Sequence, residues 1–197
     1  IARAHELQPL TARCLAARGF RPGAGLERYL HPDLACELGD IRNLKGLTEA
    51  SVILAAALRK GRKIAVCHDY DVDGTMAAAI AARFLAAHGG EMVRCGSRRF
   101  SGGYGISSER VEALAREGCS VLLCLDFGSA AHAPIARAKE LGLAVIVVDH
   151  HELPAGALPP ADAFINPRQP GCGYAGAVLC TGGLTCRAQR IERLRHF

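Results

Sequence analysis

Three short apolar runs, each ending in carboxylate or imidazole, constrain this chain more than any other feature. Ile64-Ala65-Val66-Cys67 leads into His68-Asp69-Tyr70-Asp71-Val72-Asp73-Gly74. Val121-Leu122-Leu123-Cys124-Leu125 leads into Asp126-Phe127-Gly128. Leu143-Ala144-Val145-Ile146-Val147-Val148 leads into Asp149-His150-His151. Near-continuous apolar runs of this length read as strands buried on both faces, as in a parallel sheet. In an open parallel sheet the C-terminal strand ends share one edge, where ligands bind. The pattern therefore predicts one cluster of Asp and His built by three strands, a candidate metal site for phosphate chemistry.

The rest of the chain fits that frame. Residues 1–60 read as a helical N-terminal segment: a short helix from His5 to Ala17 stopped by Gly19, then a helix over Glu49 to Arg59 capped by Thr48 and stopped by Gly61. From residue 61 onward strands and helices alternate. Strands are expected at 63–67, 91–95, 120–125, 143–148 and 163–165, with helices near 75–88, 108–117 and 133–141. Such alternation predicts an α/β fold, a mostly parallel sheet flanked by helices. The expected division is 1–60 and 61–197. The chain begins with Ile, and 187–197 is a charged stretch with helical character, so both ends are expected to belong to something longer.

Composition narrows the options. Half of the 197 residues are hydrophobic and Trp is absent, so the core must be aliphatic and Ala-rich. The net charge of +5 permits a polyanionic partner without demanding one. No apolar stretch is long enough to span a bilayer, and no basic-then-apolar leader is present, so no membrane partner is expected. The nine cysteines contain no Cys-x-x-Cys pair, which speaks against a structural zinc site. Their odd number and the missing leader predict a reduced, cytoplasmic protein.

Each acidic loop has a bland reading and a chemical one. Asp69, Asp71 and Asp73 alternate after a strand, and in extended backbone alternate side chains point the same way. Three such carboxylates repel unless a cation sits among them. The bland alternative is a solvated turn or a calcium loop, although the Glu that an EF-hand needs at position twelve is missing. Asp126 alone reads as a helix cap. Asp149-His150-His151 alone reads as a cap followed by surface histidines, yet neutral imidazole is the commonest transition-metal ligand. Together, three acidic loops on one sheet favour metal. Oxygen donors suit Mg or Mn, and imidazole tilts the choice toward Mn or another transition metal. Two such ions can hold a water and a phosphate oxygen for in-line displacement, with His151 assisting the leaving group or contacting the phosphate.

These residues resemble the motifs of the DHH phosphoesterase superfamily: Asp69 to Gly74 its first, Asp126-Phe127-Gly128 its second, and Asp149-His150-His151 the tripeptide that names it. Within the superfamily the chain is similar to the RecJ branch of single-stranded-DNA-specific 5′-to-3′ exonucleases. That similarity rests on Tyr29-Leu30-His31-Pro32-Asp33-Leu34, on Arg99 followed by Gly103-Tyr104-Gly105-Ile106-Ser107, on Ala138 to Gly142, and on Asn166 to Cys172 with Tyr174. The resemblance implies metal ligands at Asp71, Asp73, Asp126 and His150. It places Asp69, Asp149 and His151 around them as ligands, orienters or phosphate contacts. It implies two Mn or Mg ions, Arg99 and Tyr104 as holders of single-stranded DNA, and a role in DNA repair and recombination beside other repair proteins. The chain departs from the pattern at Cys67-His68, where His-Gly is usual, and matches only loosely at Leu179 to Leu184. Further RecJ segments are expected beyond the end of this chain, and an apolar patch near its C-terminus. The other functional readings are a phosphodiesterase for short oligonucleotides or cyclic dinucleotides, a pyrophosphatase, and a catalytically incomplete DNA-binding fragment.

Overall fold

The computed structural model describes residues 1–33, 40–97, 104–174 and 179–188. It divides into two compact units, Ile1–Gly39 and Asp40–Phe197. In the first, α1 (Pro9–Ala17) and α2 (Ala24–Leu30) are joined by a short turn, whose Phe20 ring lies 4.5 Å from the ring of Tyr29 in α2. The expected start at His5 moves to Pro9. Gln8 takes an extended conformation, because the proline ring disfavours helical backbone in the residue before it.

The second unit contains α3 (Leu47–Arg59), β1 (Lys63–His68), α4 (Val72–Ala87), β2 (Met92–Gly96), α5 (Ser108–Arg116), β3 (Cys119–Leu125), α6 (His132–Glu140), β4 (Ala144–Val148), β5 (Ala163–Ile165) and α7 (Thr181–Ala188). This unit begins at Asp40 and so takes in α3, whose Leu47, Ala50 and Ala57 are buried in the sheet's core. The helix is not capped by Thr48. It starts from Gly46 in left-handed backbone, and a Cβ there would run into the Phe164 carbonyl, so only glycine lets the helix start so close to β5.

All strand pairs are parallel, in the order β2-β1-β3-β4-β5. Alternation along the strands divides the core into two layers. Val66, Leu123 and Ile146 face Ala77 and Leu85 of α4 and Leu184 of α7. Cys67, Leu122 and Val145 face Leu114 of α5 and Ile135 of α6. The sheet is thus covered on both faces, which is why its strands read as unbroken apolar runs. The chain steps outward from β1 to β2, then returns past β1 to β3. The order therefore reverses between β1 and β3, the place where open parallel sheets leave a crevice at their C-terminal edge.

Helix α5 starts as the sequence predicts, with Ser107 Oγ accepting from the Arg110 N–H at 3.3 Å. Ser107→Ala is expected to cost about 1 kcal/mol, read as a melting-temperature fall of roughly 2–4 °C in a thermal scan. Among the described residues, no helix is long and apolar enough to cross a membrane. A crevice lined by Leu54, Phe84, Leu123, Ile146, Ile165 and Ala188 lies beside the end of α7, near where the apolar patch is expected.

Candidate metal centre

The first acidic loop does not stay extended. Asp69 stands just past β1, Asp71 becomes the N-cap of α4, and Asp73 lies in that helix's first turn. The carboxylates converge because strand end and helix start are folded against each other. Gly74 permits this, since a Cβ there would stand 2.6 Å from the Asp69 carbonyl oxygen and 2.9 Å from its nitrogen. Asp71 accepts from the Gly74 N–H at 3.0 Å, and Asp69 accepts from Ser97 Oγ at 2.9 Å.

Asp126 is not a helix cap; α6 starts from Ala131. It sits just past β3 in left-handed backbone, at φ 67°, with 1% of its surface exposed. Its N–H donates to the Val148 carbonyl, which continues the ladder to β4. Oxygens of Asp69, Asp71 and Asp126 lie within 4.8 Å of one another, at the edge where β1 and β3 meet. From β4, His150 Nε2 reaches 3.4 Å from Asp126 Oδ1 and 3.5 Å from Asp73 Oδ2. Asp126, His150 and His151 form a second such group within 4.8 Å. The crevice side chains thus come from three strand ends.

Electrostatics separates the carboxylates. Burial, then the neighbouring charges of Asp73 and Asp71, push Asp126 up to about 8, despite a hydrogen bond from Thr181 Oγ1 at 2.9 Å. Burial acts on Asp73 in the same direction, but the Gly182 and Thr181 N–H groups, at 2.7 and 2.8 Å, outweigh it and hold Asp73 below the ordinary carboxylate value. These N–H groups belong to the start of α7, so Asp73 caps a helix more than a hundred residues away in sequence. A buried carboxylate destabilised by its neighbours, with an imidazole in reach of two of them, is a donor set that a divalent cation satisfies.

Asp149 is fully buried, and both its oxygens accept from protein donors. Oδ2 takes the Ser129 N–H at 3.0 Å, while Oδ1 takes the His150 N–H at 2.8 Å and His151 Nδ1 at 2.7 Å. Burial opposes its ionisation, yet Ser129 and His151 keep it below the usual carboxylate value. His151 moves the opposite way: burial disfavours its charge, but Asp149 more than compensates and raises it. Tyr104 donates from its hydroxyl to the Asp126 carbonyl at 3.2 Å, and that hydroxyl lies 3.3 Å from His151 Nδ1. Its ring stands edge-on to His151 and the residue is 55% exposed. Arg99 lies outside the described residues.

Several contributors escape a reading of the sequence. Thr181 touches Asp126 and Asp73, Ser97 holds Asp69, and Ser129 holds Asp149. Asn166 donates to the His151 carbonyl at 3.0 Å. The one signal for Thr181 is a hydroxyl before two glycines at a helix start, and the local match there is weak. Nothing marks Ser97 or Ser129, because their roles depend on which loops meet.

The fold and site define an α/β protein whose parallel sheet gathers carboxylates and imidazoles at its switch point. More particularly, the chain belongs to the DHH family: the family's N-terminal domain matches residues 63–195. It is 37% identical over 180 residues to the single-stranded-DNA-specific exonuclease RecJ of Dickeya dadantii (strain 3937), covering 91% of this chain and 30% of that protein. A crystal structure of RecJ from Thermus thermophilus in complex with Mn2+ superposes with a TM-score of 0.70 at 32% identity, covering 98% of this chain and 26% of the other. A crystal structure of exonuclease RecJ bound to manganese gives 0.64 at 36% identity, covering 77% and 39%. The chain therefore spans about a third or less of the curated relatives it matches.

Proposed function

We propose that this chain forms the metal centre of a 5′-to-3′ exonuclease acting on single-stranded DNA. The observation that carries the reading is the convergence of Asp69, Asp71, Asp126 and His150 from three strand ends onto one crevice. The RecJ relatives support the substrate class. Bound Mn or Mg ions, two by this reading, would activate the attacking water and neutralise phosphate charge. Asp71, Asp126 and His150 are their principal holders, Asp69 completes the oxygen set, and Asp73 adds negative charge while fixing the start of α7. Asp149 acts as the orienter of both histidines and not as a ligand, because its lone pairs are directed at protein donors. With Nδ1 tied to Asp149, His151 holds a proton at Nε2 for the departing oxygen. The exposed ring of Tyr104 offers a face on which a base stacks, and Arg99 pairs with phosphate. The place of this activity is DNA repair and recombination.

The test is Mn-dependent release of mononucleotide from a 5′-labelled single-stranded oligonucleotide, wild type beside His150→Ala. Release that persists unchanged in the variant rejects the site. Cleavage confined to dinucleotides turns the reading toward a short-oligonucleotide phosphodiesterase.

A pH dependence follows from Asp126. A cation must displace the proton that its raised pKa retains. Mn affinity is therefore expected to rise with pH, by at most about tenfold per unit for one proton, and to level off above about 8. Titrations followed by the electron paramagnetic resonance of free Mn between pH 6 and 9 give this curve. An affinity that does not change with pH would mean Asp126 is already ionised.

A further inference from the structure

A second reactive group lies on the other side of β1. Cys67 and Cys95 are register partners on β1 and β2. Partnered residues of neighbouring strands stand about 4.8 Å apart, within the span of roughly 4.4–6.8 Å that a disulfide bridges between Cα atoms. Each thiol shifts the other's ionisation. The two differ in surroundings. Cys67 is buried, whereas Cys95 is half-buried and lines a cavity of about 720 Å³ with Ser97, Ser107 and Arg110. Arg110 Nε donates to Cys95 Sγ at 3.3 Å, while Nη1 of the same guanidinium is held by Glu117 at 3.0 Å. A fixed guanidinium on a half-exposed thiol, with a second thiol behind it, is the arrangement of an attacking and a resolving cysteine.

We propose that Cys95 is a reactive thiol that hydrogen peroxide oxidises, and that Cys67 resolves the product into a cross-strand disulfide. The Cys95 thiolate attacks one peroxide oxygen; the O–O bond breaks, and Cys95 becomes a sulfenic acid as hydroxide leaves and is protonated. Cys67 sulfur then attacks the Cys95 sulfur, the S–O bond breaks, and water leaves with the Cys67 proton. Two thiols and one peroxide give one disulfide and two waters; the sulfurs are oxidised and the peroxide is reduced. The neighbouring Cys67 thiol, against the effect of burial and with help from Arg110, brings Cys95 down to about 6.

The experiment is a peptide-resolved alkylation of the reduced wild-type chain with iodoacetamide at pH 6.5. A thiol shifted this far is richer in thiolate by about two orders of magnitude but intrinsically less nucleophilic, leaving a gain of about tenfold at equal access. Cys95 is therefore expected to react ahead of the exposed Cys14 and Cys186, whereas exposure alone predicts the reverse order. Arg110→Gln should slow Cys95 several-fold. After equimolar hydrogen peroxide, a non-reducing peptide map should show Cys67 joined to Cys95, a link lost in Cys95→Ser. Cys95 trailing either Cys14 or Cys186 overturns the reactive thiol. A Cys95 sulfenic acid that dimedone traps in full, with Cys67 left free, overturns the pairing.

Discussion

Asp126→Asn is expected to make the metal-free chain more stable at pH 8 and to weaken its binding of Mn by at least about 100-fold, the upper end of the loss seen when only an outer-shell partner is removed. The two effects have one cause. Asp126 is buried among carboxylates, and its folded-state pKa is raised to about 8. Between the ordinary value of 3.8 and about 8, the folded chain holds a proton that the unfolded chain releases. Stability of the metal-free protein therefore falls as pH rises through that window. Asn removes the titration. It still accepts from Thr181 Oγ1, and it tolerates the left-handed backbone at φ 67° better than most residues. Melting temperatures measured from pH 4 to 9 without metal should diverge in favour of the variant as pH rises, and should coincide near pH 4. A variant less stable than wild type at pH 8 would show that its carboxylate is not in conflict with its neighbours.

Gly74→Ala is expected to lower stability by about 3 kcal/mol, a melting-temperature fall of roughly 6–12 °C, and to weaken Mn binding by displacing the carboxylates of α4. Intrinsic propensity points the other way, since Ala is favoured over Gly inside a helix by about 1 kcal/mol. The clash decides the sign. The added methyl meets backbone atoms of Asp69 at 2.6 and 2.9 Å, and backbone cannot swing aside as a side-chain tip does. Relief requires α4 to retreat from the end of β1, carrying Asp71 and Asp73 away from Asp126. Thermal scans with and without Mn separate the two losses. A variant that melts lower but gains as much stability from Mn as wild type would show that the carboxylates keep their positions.

Much of the architecture was legible because a parallel sheet buried on both faces leaves a plain trace: apolar runs with no polar alternation, each ending where the chain meets solvent and ligand. Asp126 and Asp149 announce themselves by standing immediately after such runs, and Asp69 by standing one residue further on. Helix starts were less legible, because short-range preference was overruled by contact. Thr48 looks like a cap, but the approach to Phe164 requires Gly46 to start α3. The alternating Asp69, Asp71 and Asp73 suggested extended backbone, yet two of them belong to a helix start.

The class of fold and the types of residue at its C-terminal edge are written in the order of amino acids, since both follow from burial periodicity and its interruption. Tertiary structure decided the division of labour among those residues. Asp149 has its lone pairs claimed by Ser129 and the histidines, Asp73 is kept ionised by the start of α7, and Asp126 is left in conflict with its neighbours. These differences come from which N–H groups and which charges lie within a few ångströms, and that depends on loops brought together by strand order rather than by neighbourhood in the chain.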